Sequence, residues 1–557
     1  MANLENMPRD LRELLAYTAA AYGTKTAFRD KTDGIYQDVS YARFSAEANA
    51  LALMLKKRFS AGSRVAIIGE NSYRFALSYM ALALLGAVPV PLDSTIRAKD
   101  LVAVSDKAAL TGVLYAADQK RLRRVFTGLS AVCFDKYNAL IAEGKRRFAV
   151  GESLETLPAE PDALAAIFFT SGTTGVAKGV MLSHKNLLSA VRDLARCMPT
   201  DREDVFLSTL PLSHAYEYVC GFLMPLYRGA TVAFGEGLSH ILRNMREIRP
   251  TCMVTVPYVA EALYRKCWEN IQAKRRETRV RRLIAVSDPV RPLSARQTMK
   301  ERLLSAERAY FGGSLRCILV LGAGMNVTAQ KGLRQLGVLT LQGYGVTECA
   351  GLAAVNASDR YRDGTAGKAL PDGMLDIYDP QPDGSGEIRC KGDNVMLGYL
   401  GDRARAERSL RDGWYYTGDI GKIDADGYLT VEGRRERCIE TASGNLICPE
   451  ALERLLCQSP LINEAAVVGV FDPELRDSRP VAMICIDEDR ATELFGPRAS
   501  EEDVDLMIDE WIKEMNETLL PYQQLALYAV SEEPLPRDAA GEVHRALIAE
   551  AMAEILE

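Results

Sequence analysis

The stretch from Phe168 to His184 (FFTSGTTGVAKGVMLSH) combines residue types that bind phosphates. An apolar run, Leu164 to Phe169, is typical of a buried strand and leads into a loop that ends at Lys178. Glycines in such a loop let backbone N–H groups approach a polyanion, hydroxyls add donors, and the lysine adds a positive charge. The candidate phosphate-binding residues are Thr170, Ser171, Gly172, Thr173, Thr174, Gly175 and Lys178.

This loop differs from the Walker phosphate-binding loop in the spacing of its glycines and lysine, and the following VMLSH is typical of a second strand rather than of a helix start. The alternative is a surface turn rich in Ser, Thr and Gly. The position of the loop between two apolar strands favours phosphate binding over this alternative.

A second group of candidates lies in residues 341–351 (LQGYGVTECAG). A strand is predicted to end at Gln342. Gly343 and Gly345 flank Tyr344 and would let its ring stand clear of the backbone and stack on a base. The alternative is a glycine-rich turn beside a buried tyrosine.

The same stretch contains two polar candidates. Thr347 can donate a hydrogen bond to a phosphate, and Glu348 can bind Mg²⁺ through a carboxylate oxygen. Open α/β sheets bind their ligands at strand ends, which is where both residues are expected.

Two further motifs carry polar side chains. In WYYTGDIGKID, Asp419 could accept hydrogen bonds from both hydroxyls of a ribose, and Arg434 downstream could add a charged donor. A turn aspartate and a surface arginine are the alternatives. In LPLSHAYEY, His214 follows a strand-like run and has aromatic neighbours, although a lone histidine is more often structural.

Size and composition indicate a large globular protein. With 557 residues, 48% hydrophobic and 25% charged, the chain can bury large cores and make more than one domain. The net charge of −6 gives no reason to expect nucleic acid. The twelve cysteines form no CxxC pair and there are four histidines, so reduced, packed cysteines are expected rather than a metal–thiolate site.

No targeting or membrane segment is expected. The N-terminal residues mix acids with bases and lack the apolar core of a signal peptide, which disfavours secretion. The longest apolar run, Phe75 to Leu92, is interrupted by Gly86, Pro89 and Pro91, so it predicts a helix followed by a strand. A cytoplasmic protein is therefore expected.

The body of the chain is predicted to be α/β with largely parallel sheets. Residues 64–70, 72–85 and 87–92 are typical of a strand, a helix and a strand, which together make a βαβ unit. Further strands are predicted at 112–116, 164–170, 230–234, 252–256, 317–321 and 338–342. A helix over 186–197 is predicted to bury Leu187, Leu188, Val191, Leu194 and Ala195.

A basic segment, Lys266 to Arg282, permits contact with a membrane surface or a partner. A solvated helix face is the favoured interpretation, because acids interrupt the run and no clear apolar stripe accompanies it.

The composition changes past Gly364, where Gly, Asp and Pro become frequent and short strands are expected. The predicted domains are 1–433 and 434–557. The second contains predicted helices at 449–457 and 502–517 and strands near 464–470 and 480–487. The longer helix is predicted to carry on one face Val504, Met507, Ile508, Trp511, Ile512 and Met515.

The order and spacing of the four motifs resemble those of the AMP-forming adenylating enzymes over nearly the whole chain. Within that superfamily the chain is most similar to bacterial medium- or long-chain fatty-acyl-CoA synthetases, through GSRVAIIGENSYRFALSYMALALLGAVPVPLD, LPLSHAYEYVCGFLMPLYRGA and VMLGYL. The resemblance implies a large N-terminal domain of two α/β sheet subdomains and a small β-barrel, followed by a small mobile α+β domain.

The resemblance also implies roles for individual residues. Ser171 to Lys178 would hold the triphosphate, with Thr174 and Glu348 at Mg²⁺, and Thr347 would serve a phosphate. The other implied contacts are adenine at Ala323 and Tyr344, ribose at Asp419 and Arg434, the acid at His214, Tyr216 and Gly345, coenzyme A at Gly444 and a hinge at Glu436.

The implied reaction has two steps. A carboxylate attacks the α-phosphate of ATP to give acyl-AMP and pyrophosphate, and the thiol of coenzyme A then displaces AMP. In the family the small domain delivers a lysine from a PRTxxGKxxR segment to the first step. Here that segment is PRDAAGEVHR, and Glu542 occupies the lysine position.

This difference predicts a slow first step. Two unit charges ~4 Å apart interact by about 4 kcal/mol at an effective dielectric constant of 20, so exchanging an attraction for a repulsion would cost decades of rate. Arg537 and Arg545 are the nearby cations that could substitute.

Three functions follow from these observations. The first is an ATP-dependent acyl-CoA synthetase of fatty or related acids. The second is a nucleotide- or acyl-binding protein that has lost synthesis, as Glu542 would indicate. The third is adenylation that supplies a separate acyl carrier protein, since no carrier domain is evident in the sequence.

Overall fold

The computed structural model describes residues 7–155, 157–170, 177–287, 299–473, 475–496, 501–531, 533–537 and 543–556. The chain divides into two compact units. The first unit comprises Met1–Leu375, Cys390–Tyr415 and Ala425–Leu429. The second unit comprises Asp376–Arg389, Tyr416–Asp424 and Thr430–Glu557. The predicted boundary after Gly433 stays a prediction.

The largest sheet of the first unit has nine strands, and its six central strands are parallel to one another. Its order is Lys368–Ala369, Ala354–Val355, Leu339–Tyr344, Cys317–Val320, Cys252–Thr255, Val205–Ser208, Thr231–Phe234, Thr26–Thr32 and Ile35–Ser40. The central strands are short, apolar and buried, as expected for a parallel sheet with covered faces. The α/β prediction is confirmed.

A second sheet contains the predicted βαβ unit. Its four parallel strands are, in order, Val88–Leu92, Arg64–Ile68, Gly112–Tyr115 and Ser130–Cys133. Pro89 and Pro91 lie in the edge strand, where the missing N–H groups leave no neighbour unpaired. The helix Tyr73–Leu84 connects the first two strands as predicted, with the side chain of Ser72 capping its N-terminus.

A third, antiparallel sheet has the order Gly398–Tyr399, Lys178–Ser183 and Leu164–Thr170. Its side chains Ile167 and Leu400 share one core with Ile68 and Val90 of the second sheet. The two long strands form the hairpin that carries the candidate phosphate loop.

The helix His184–Cys197 follows this hairpin directly and begins two residues before its predicted start. Ser183 caps the helix, since its hydroxyl accepts from the Asn186 N–H while the Asn186 side chain accepts from the Ser183 N–H. All five side chains predicted to be buried are buried.

The basic segment lies on two helices, Pro257–Ala273 and Glu277–Ser287. The prediction that no apolar stripe accompanies it is wrong. The stripe runs through both helices and was obscured because the intervening turn breaks the helical period. Its buried members are Val259, Ala260, Leu263, Cys267, Ile271, Val280 and Ile284. The basic side chains occupy the opposite, solvated face.

Further helices of the first unit, among the residues that the structure describes, include Leu11–Tyr22, Tyr41–Leu55, Ala98–Ala108, Tyr137–Ala149, Met224–Arg228, Ile241–Ile248, Ser305–Arg308, Val327–Gln335 and Arg403–Ser409. A π-helical segment, Glu217–Leu223, precedes Met224–Arg228. Among the residues that the structure describes, no helix has the length and apolar character needed to cross a bilayer.

The second unit contains a small sheet made by parts of four strands, Met374–Tyr378, Gly386–Lys391, Trp414–Ile423 and Leu429–Arg434. These are the short strands expected past Gly364. A hairpin pairs Ile439–Glu440 with Leu446–Ile447. A further sheet has the order Ile462–Asp472, Asp477–Ile486 and Leu527–Val530.

The helices of this unit are Pro449–Leu456, Glu488–Phe495, Glu501–Glu517 and Arg545–Leu556. The predicted helices and strands of the C-terminal region are confirmed. On the face predicted for the helix Glu501–Glu517, Ile508 is fully buried whereas Met507 is 38% exposed. Met507 lies at the edge of the apolar face, where helical periodicity alone does not separate core from surface.

Candidate active site

The candidate phosphate loop connects two antiparallel strands. Thr170, the last residue of the first strand, lies opposite Lys178, the first residue of the second. Ser171, Gly172, Thr173, Thr174 and Gly175 lie outside the described residues. The predicted second strand after the loop is confirmed, and it places the partly exposed Lys178 at the base of the loop.

The turn after the strand Leu339–Tyr344 makes close backbone contacts. A side chain at Gly345 would place its Cβ 2.3 Å from the carbonyl oxygen of Gly351, so only glycine fits there. The strand runs two residues beyond its predicted end at Gln342, because Gly343 and Tyr344 pair with Val355 and Ala354.

Tyr344 is buried, with 8% of its surface exposed, and its backbone pairs with Ala354. This burial fits the alternative of a glycine-rich turn beside a buried tyrosine. Stacking of the ring on a base stays a prediction.

Glu348 is buried, with 8% exposure, and Tyr399 donates a hydrogen bond of 2.8 Å to its Oε1 atom. Burial and the negative charge of Glu348 raise the pKa of Tyr399, so this donor keeps its proton. Tyr399 lies opposite Val180 in the hairpin sheet. The structure therefore brings the strand of Lys178 together with the turn of Thr347 and Glu348.

The loop that carries His214 contacts the same turn. The Tyr216 hydroxyl donates a hydrogen bond of 2.5 Å to the carbonyl oxygen of Gly345. A Cβ at Gly351 would lie 2.9 Å from the carbonyl carbon of Ala215. Three of the four sequence motifs are thus neighbours in the first unit.

His214 has an exposed side chain, yet loss of hydration beside the protein lowers its pKa, while Asp93 acts in the opposite direction. A neutral imidazole is therefore favoured near pH 7, and its ring nitrogens can donate or accept one hydrogen bond each.

Asn71 fixes this loop from the second sheet and was not singled out from the sequence. Its Nδ2 donates to Ser208 Oγ at 2.9 Å and to the Leu210 carbonyl at 2.6 Å, and its Oδ1 accepts from the Leu212 N–H at 2.8 Å. The Tyr79 hydroxyl adds a 2.9 Å bond to the Leu212 carbonyl. One amide side chain thus holds three points of the loop.

Glu217 is a second residue that sequence analysis missed. It is fully buried, its Oε1 accepts a 2.5 Å hydrogen bond from Ser208 Oγ, and its Oε2 has no hydrogen-bond partner among the described residues. Burial raises its pKa to about 8, against the opposing effect of the Ser208 hydroxyl. The carboxyl group is therefore protonated at neutral pH. An acid inside the apolar run after His214 is the sequence signal that could have identified it.

The ribose candidates both belong to the second unit and contact each other. Arg434 Nε lies 2.8 Å from Oδ1 of Asp419, which is 4% exposed, and the Asp419 N–H donates to Thr417 Oγ1 at 3.0 Å. The structure brings this predicted pair together as a salt bridge.

The remaining second-unit candidates lie further along the chain. Glu436 lies in the short turn Arg435–Arg437. Gly444 has a φ of +84°, in the left-handed region that favours glycine, within the hairpin that begins at Ile439.

Two further predictions concern loops. Ala323 is exposed in the loop after Cys317–Val320 in the first unit. Glu542 lies outside the described residues. Arg537 pairs with Glu464, and Arg545 makes two bonds to the Glu453 carboxylate, at 2.5 and 3.1 Å. Both arginines thus already pair with acids of the second unit.

The donor set of the candidate metal position fits Mg²⁺. Glu348 offers a carboxylate, which is a hard oxygen donor, and the other predicted ligand, Thr174, lies outside the described residues. In the described part of the chain, no group of three or more His, Cys, Asp or Glu side chains is arranged to hold a metal ion.

The fold and these motifs define a class of protein. The sequence model of the AMP-binding enzyme family matches residues 15–400. The match spans more than half of the chain, so the chain belongs to this family. The resemblance to AMP-forming acyl-CoA synthetases is confirmed.

Two similar proteins are named as fatty-acid–CoA ligases. A long-chain-fatty-acid–CoA ligase of Mycobacterium bovis is 29% identical over 87% of this chain and 85% of its own length. Long-chain-fatty-acid–CoA ligase 1 of Cavia porcellus is 28% identical over 79% of this chain and 68% of its own length.

Solved structures confirm the fold. Apo MatB from Rhodopseudomonas palustris superposes with a TM-score of 0.74 at 24% identity, over 98% of this chain and 100% of that chain. The fatty acyl CoA synthetase of Mycobacterium tuberculosis gives 0.68 at 20% identity, over 98% and 99%. The predicted arrangement of a large N-terminal domain and a small C-terminal domain is confirmed.

Glu217→Gln should stabilise the protein increasingly as pH rises. The folded pKa is raised from 4.5 to about 8, so the native state holds a proton that the unfolded state loses, and wild-type stability falls as pH rises between these values. Each pKa unit corresponds to about 1.4 kcal/mol. Thermal unfolding at pH 5, 6.5 and 8 should show a gap between variant and wild type that widens with pH. The exposed Glu269→Gln is the control, and parallel curves for Glu217→Gln and wild type would contradict the prediction.

Tyr399→Phe should lower the free energy of unfolding by about 1–3 kcal/mol, because it leaves the buried Glu348 carboxylate without its hydroxyl donor. Urea unfolding at pH 7 measures the change. Tyr258→Phe, at a residue that is 73% exposed, should cost less than about 0.5 kcal/mol. Equal effects of the two substitutions would rule out the Glu348 contact as the cause.

Proposed function

We propose that this protein activates a fatty acid with ATP, through acyl-AMP, to acyl-CoA, with release of AMP and pyrophosphate. The observation that carries this proposal is the joining of three motifs around Tyr399, Glu348 and Gly345. It gathers a lysine, a carboxylate and a histidine loop in one unit of a chain from the AMP-binding enzyme family.

The first step requires two anions to meet, so positive charge must offset their repulsion. Lys178, at the base of the candidate loop, supplies one cation. Glu348 and Thr174 would hold Mg²⁺, which when bound neutralises phosphate charge, and Thr347 would donate to a phosphate. Tyr399 holds the Glu348 side chain in place through its 2.8 Å hydrogen bond.

The acid is proposed to bind at the loop of His214 and Tyr216. A neutral His214 can donate a hydrogen bond to the carboxylate without adding a proton to it. After the loop, Tyr218 stacks on Tyr79 at 4.2 Å and contacts Phe168 at 5.6 Å between ring centroids, and all three rings are buried in the core. A fatty acyl chain is the proposed substrate because apolar side chains follow this loop and because fatty acids are the substrate class in the names of the relatives.

The nucleoside contacts are proposed from the resemblance and from the observed pairing. Asp419 would accept from the ribose hydroxyls, with Arg434 holding its orientation through their 2.8 Å contact. Ala323 and Tyr344 would border adenine. We propose 1–433 and 434–557 as the functional domains, with the hinge at Glu436 and with Gly444 beside coenzyme A.

ATP and coenzyme A are the proposed co-substrates, and the cytoplasm, which contains both, is the proposed location. A separate acyl carrier protein as acceptor, or contact with a membrane surface, would extend the list of partners.

ATP–pyrophosphate exchange driven by fatty acids of different lengths tests the proposal. Exchange should be detectable with at least one acid, and Lys178→Ala or Glu348→Gln should each lower it at least about 100-fold, the usual cost of one charge-stabilising group. Lys185→Ala is the matched control, because Lys185 is 45% exposed and pairs with Asp393. No exchange with any acid, together with intact ATP binding, would favour the binding-only alternative. Transfer to a carrier protein without coenzyme A would favour the third function.

Glu542→Lys should raise the exchange rate at least about tenfold, equivalent to 1.4 kcal/mol, by replacing a repulsion of the anionic substrates with an attraction. Conversion of synthetic acyl-AMP to acyl-CoA should change little. Glu533→Lys makes the same charge change at an exposed residue three positions before this segment and should leave both rates unaltered. A rate for Glu542→Lys at or below wild type would overturn the assignment of this loop.

A further inference from the structure

Two cysteines of the second unit lie side by side at the base of a hairpin. The Sγ atoms of Cys438 and Cys448 are 3.1 Å apart, and both thiols are free. The hairpin strands pair Ile439 with Ile447, so the next residue of each strand, Cys438 and Cys448, is also opposite its partner. The fold therefore aligns two thiols that are ten residues apart in the chain.

The position suits a disulfide bond. At the tip of the hairpin, the Thr441 N–H donates to the Asn445 carbonyl at 2.9 Å. Because hydrogen-bonded and non-hydrogen-bonded pairs alternate, Cys438 and Cys448 form a non-hydrogen-bonded pair, in which Cα atoms lie about 4.5 Å apart. Disulfides accept Cα separations of about 4.4–6.8 Å, so the bond can form without a change of register.

The two thiols differ in accessibility. Cys438 is partly exposed and its thiol donates to the Arg434 carbonyl oxygen at 3.3 Å, whereas Cys448 is 5% exposed. The contact with Cys438 and burial raise the pKa of Cys448, and the charges of Glu432 and Glu450 act in the same direction. Cys438 is therefore the sulfur that an oxidant reaches first, and Cys448 is the second, resolving thiol.

A second cysteine pair provides a contrast. Cys252 and Cys317 are opposite each other in neighbouring parallel strands of the nine-stranded sheet, and both are fully buried. Burial also raises the pKa of Cys252. An oxidant in solution cannot reach the buried thiols of Cys252 and Cys317, whereas it can reach Cys438 of the hairpin pair.

We propose that Cys438 and Cys448 form a reversible intramolecular disulfide and that the oxidant is a low-molecular-weight disulfide. The Cys438 thiolate attacks one sulfur of the oxidant, breaks its S–S bond and releases one thiol. Cys448 then loses its proton and attacks Cys438 Sγ, which forms the Cys438–Cys448 bond and releases the second thiol. The cysteine pair is oxidised by two electrons, and the oxidant is reduced to two thiols.

The disulfide would constrain the loop between the two strands. It closes the sulfur gap from 3.1 Å to about 2.05 Å and removes the thiol donor from the Arg434 carbonyl. The closed loop contains Gly444. If the proposed function holds and Gly444 borders coenzyme A, oxidation slows thioester formation more than acyl-AMP formation.

Mass spectrometry of the full-length protein tests the bond without any activity assay. The protein is incubated with oxidised glutathione, alkylated, unfolded and digested with trypsin. Trypsin cleaves after Arg437 and after Arg454, so residues 438–454 form one peptide that contains both cysteines. This peptide should resist alkylation, be lighter by two hydrogens, and return to the alkylated form after dithiothreitol. Cys252 and Cys317 should react only after unfolding.

Single substitutions identify the order of attack. Cys448→Ser should accumulate a glutathione adduct on Cys438, and Cys438→Ser should leave Cys448 largely unmodified. Two free thiols after oxidation of the wild-type protein, or a stable glutathione adduct without the internal bond, would overturn the proposal.

Separate assays of acyl-AMP formation and of thioester formation test the expected effect of the disulfide on catalysis. Oxidation should slow conversion of synthetic acyl-AMP to acyl-CoA at least about fivefold, the lower end of ordinary coupling between sites, with recovery after reduction. Cys438→Ser should be insensitive to oxidation, and its mass spectrum after the assay confirms the thiol state. An internal disulfide with unchanged thioester formation would overturn the effect on catalysis. Absence of any half-reaction would count against the proposed function, whereas the mass result would still decide the disulfide.

Discussion

The hydrogen bond from Tyr399 to Glu348 is the interaction on which the candidate site depends. A buried carboxylate is stable only when polar partners replace the water it has lost, and here the partner comes from a strand that also pairs with the strand of Lys178. Tyr399 therefore makes the hydrogen bond to Glu348 depend on the register in which Gly398–Tyr399 pairs with the hairpin. If Gly398–Tyr399 shifted by one residue along the hairpin, the hydroxyl would point to the other face and the carboxylate would lose its donor.

The loop of His214 is held in a different way. Its anchors are polar side chains in largely apolar surroundings, with Asn71 bonding to three points and Glu217 buried in its protonated form. Hydrogen bonds fix direction as well as distance, so they define a loop conformation more narrowly than apolar packing does. Oε2 of Glu217 is buried without a hydrogen-bond partner among the described residues, which is the energetic cost of this arrangement.

Sequence analysis predicted the elements well where the pattern is local. The strand Leu164–Thr170 and the helix Tyr73–Leu84 follow from short-range periodicity and capping. The local pattern does not show the burial of Tyr344 or the exposure of Met507, because each depends on neighbours that are distant in sequence. The partners Tyr399 and Asn71 were missed for the same reason, since a tyrosine or an asparagine acquires a role only when the fold selects its neighbour.

Asn71 follows a strand of the four-stranded sheet, whereas Ser208 ends a strand of the nine-stranded sheet. The two sheets are thus joined at the loop that is proposed to bind the acid. If the sheets separated, this loop would become disordered while each sheet was still folded. On heating, activity would therefore be lost before either sheet unfolds.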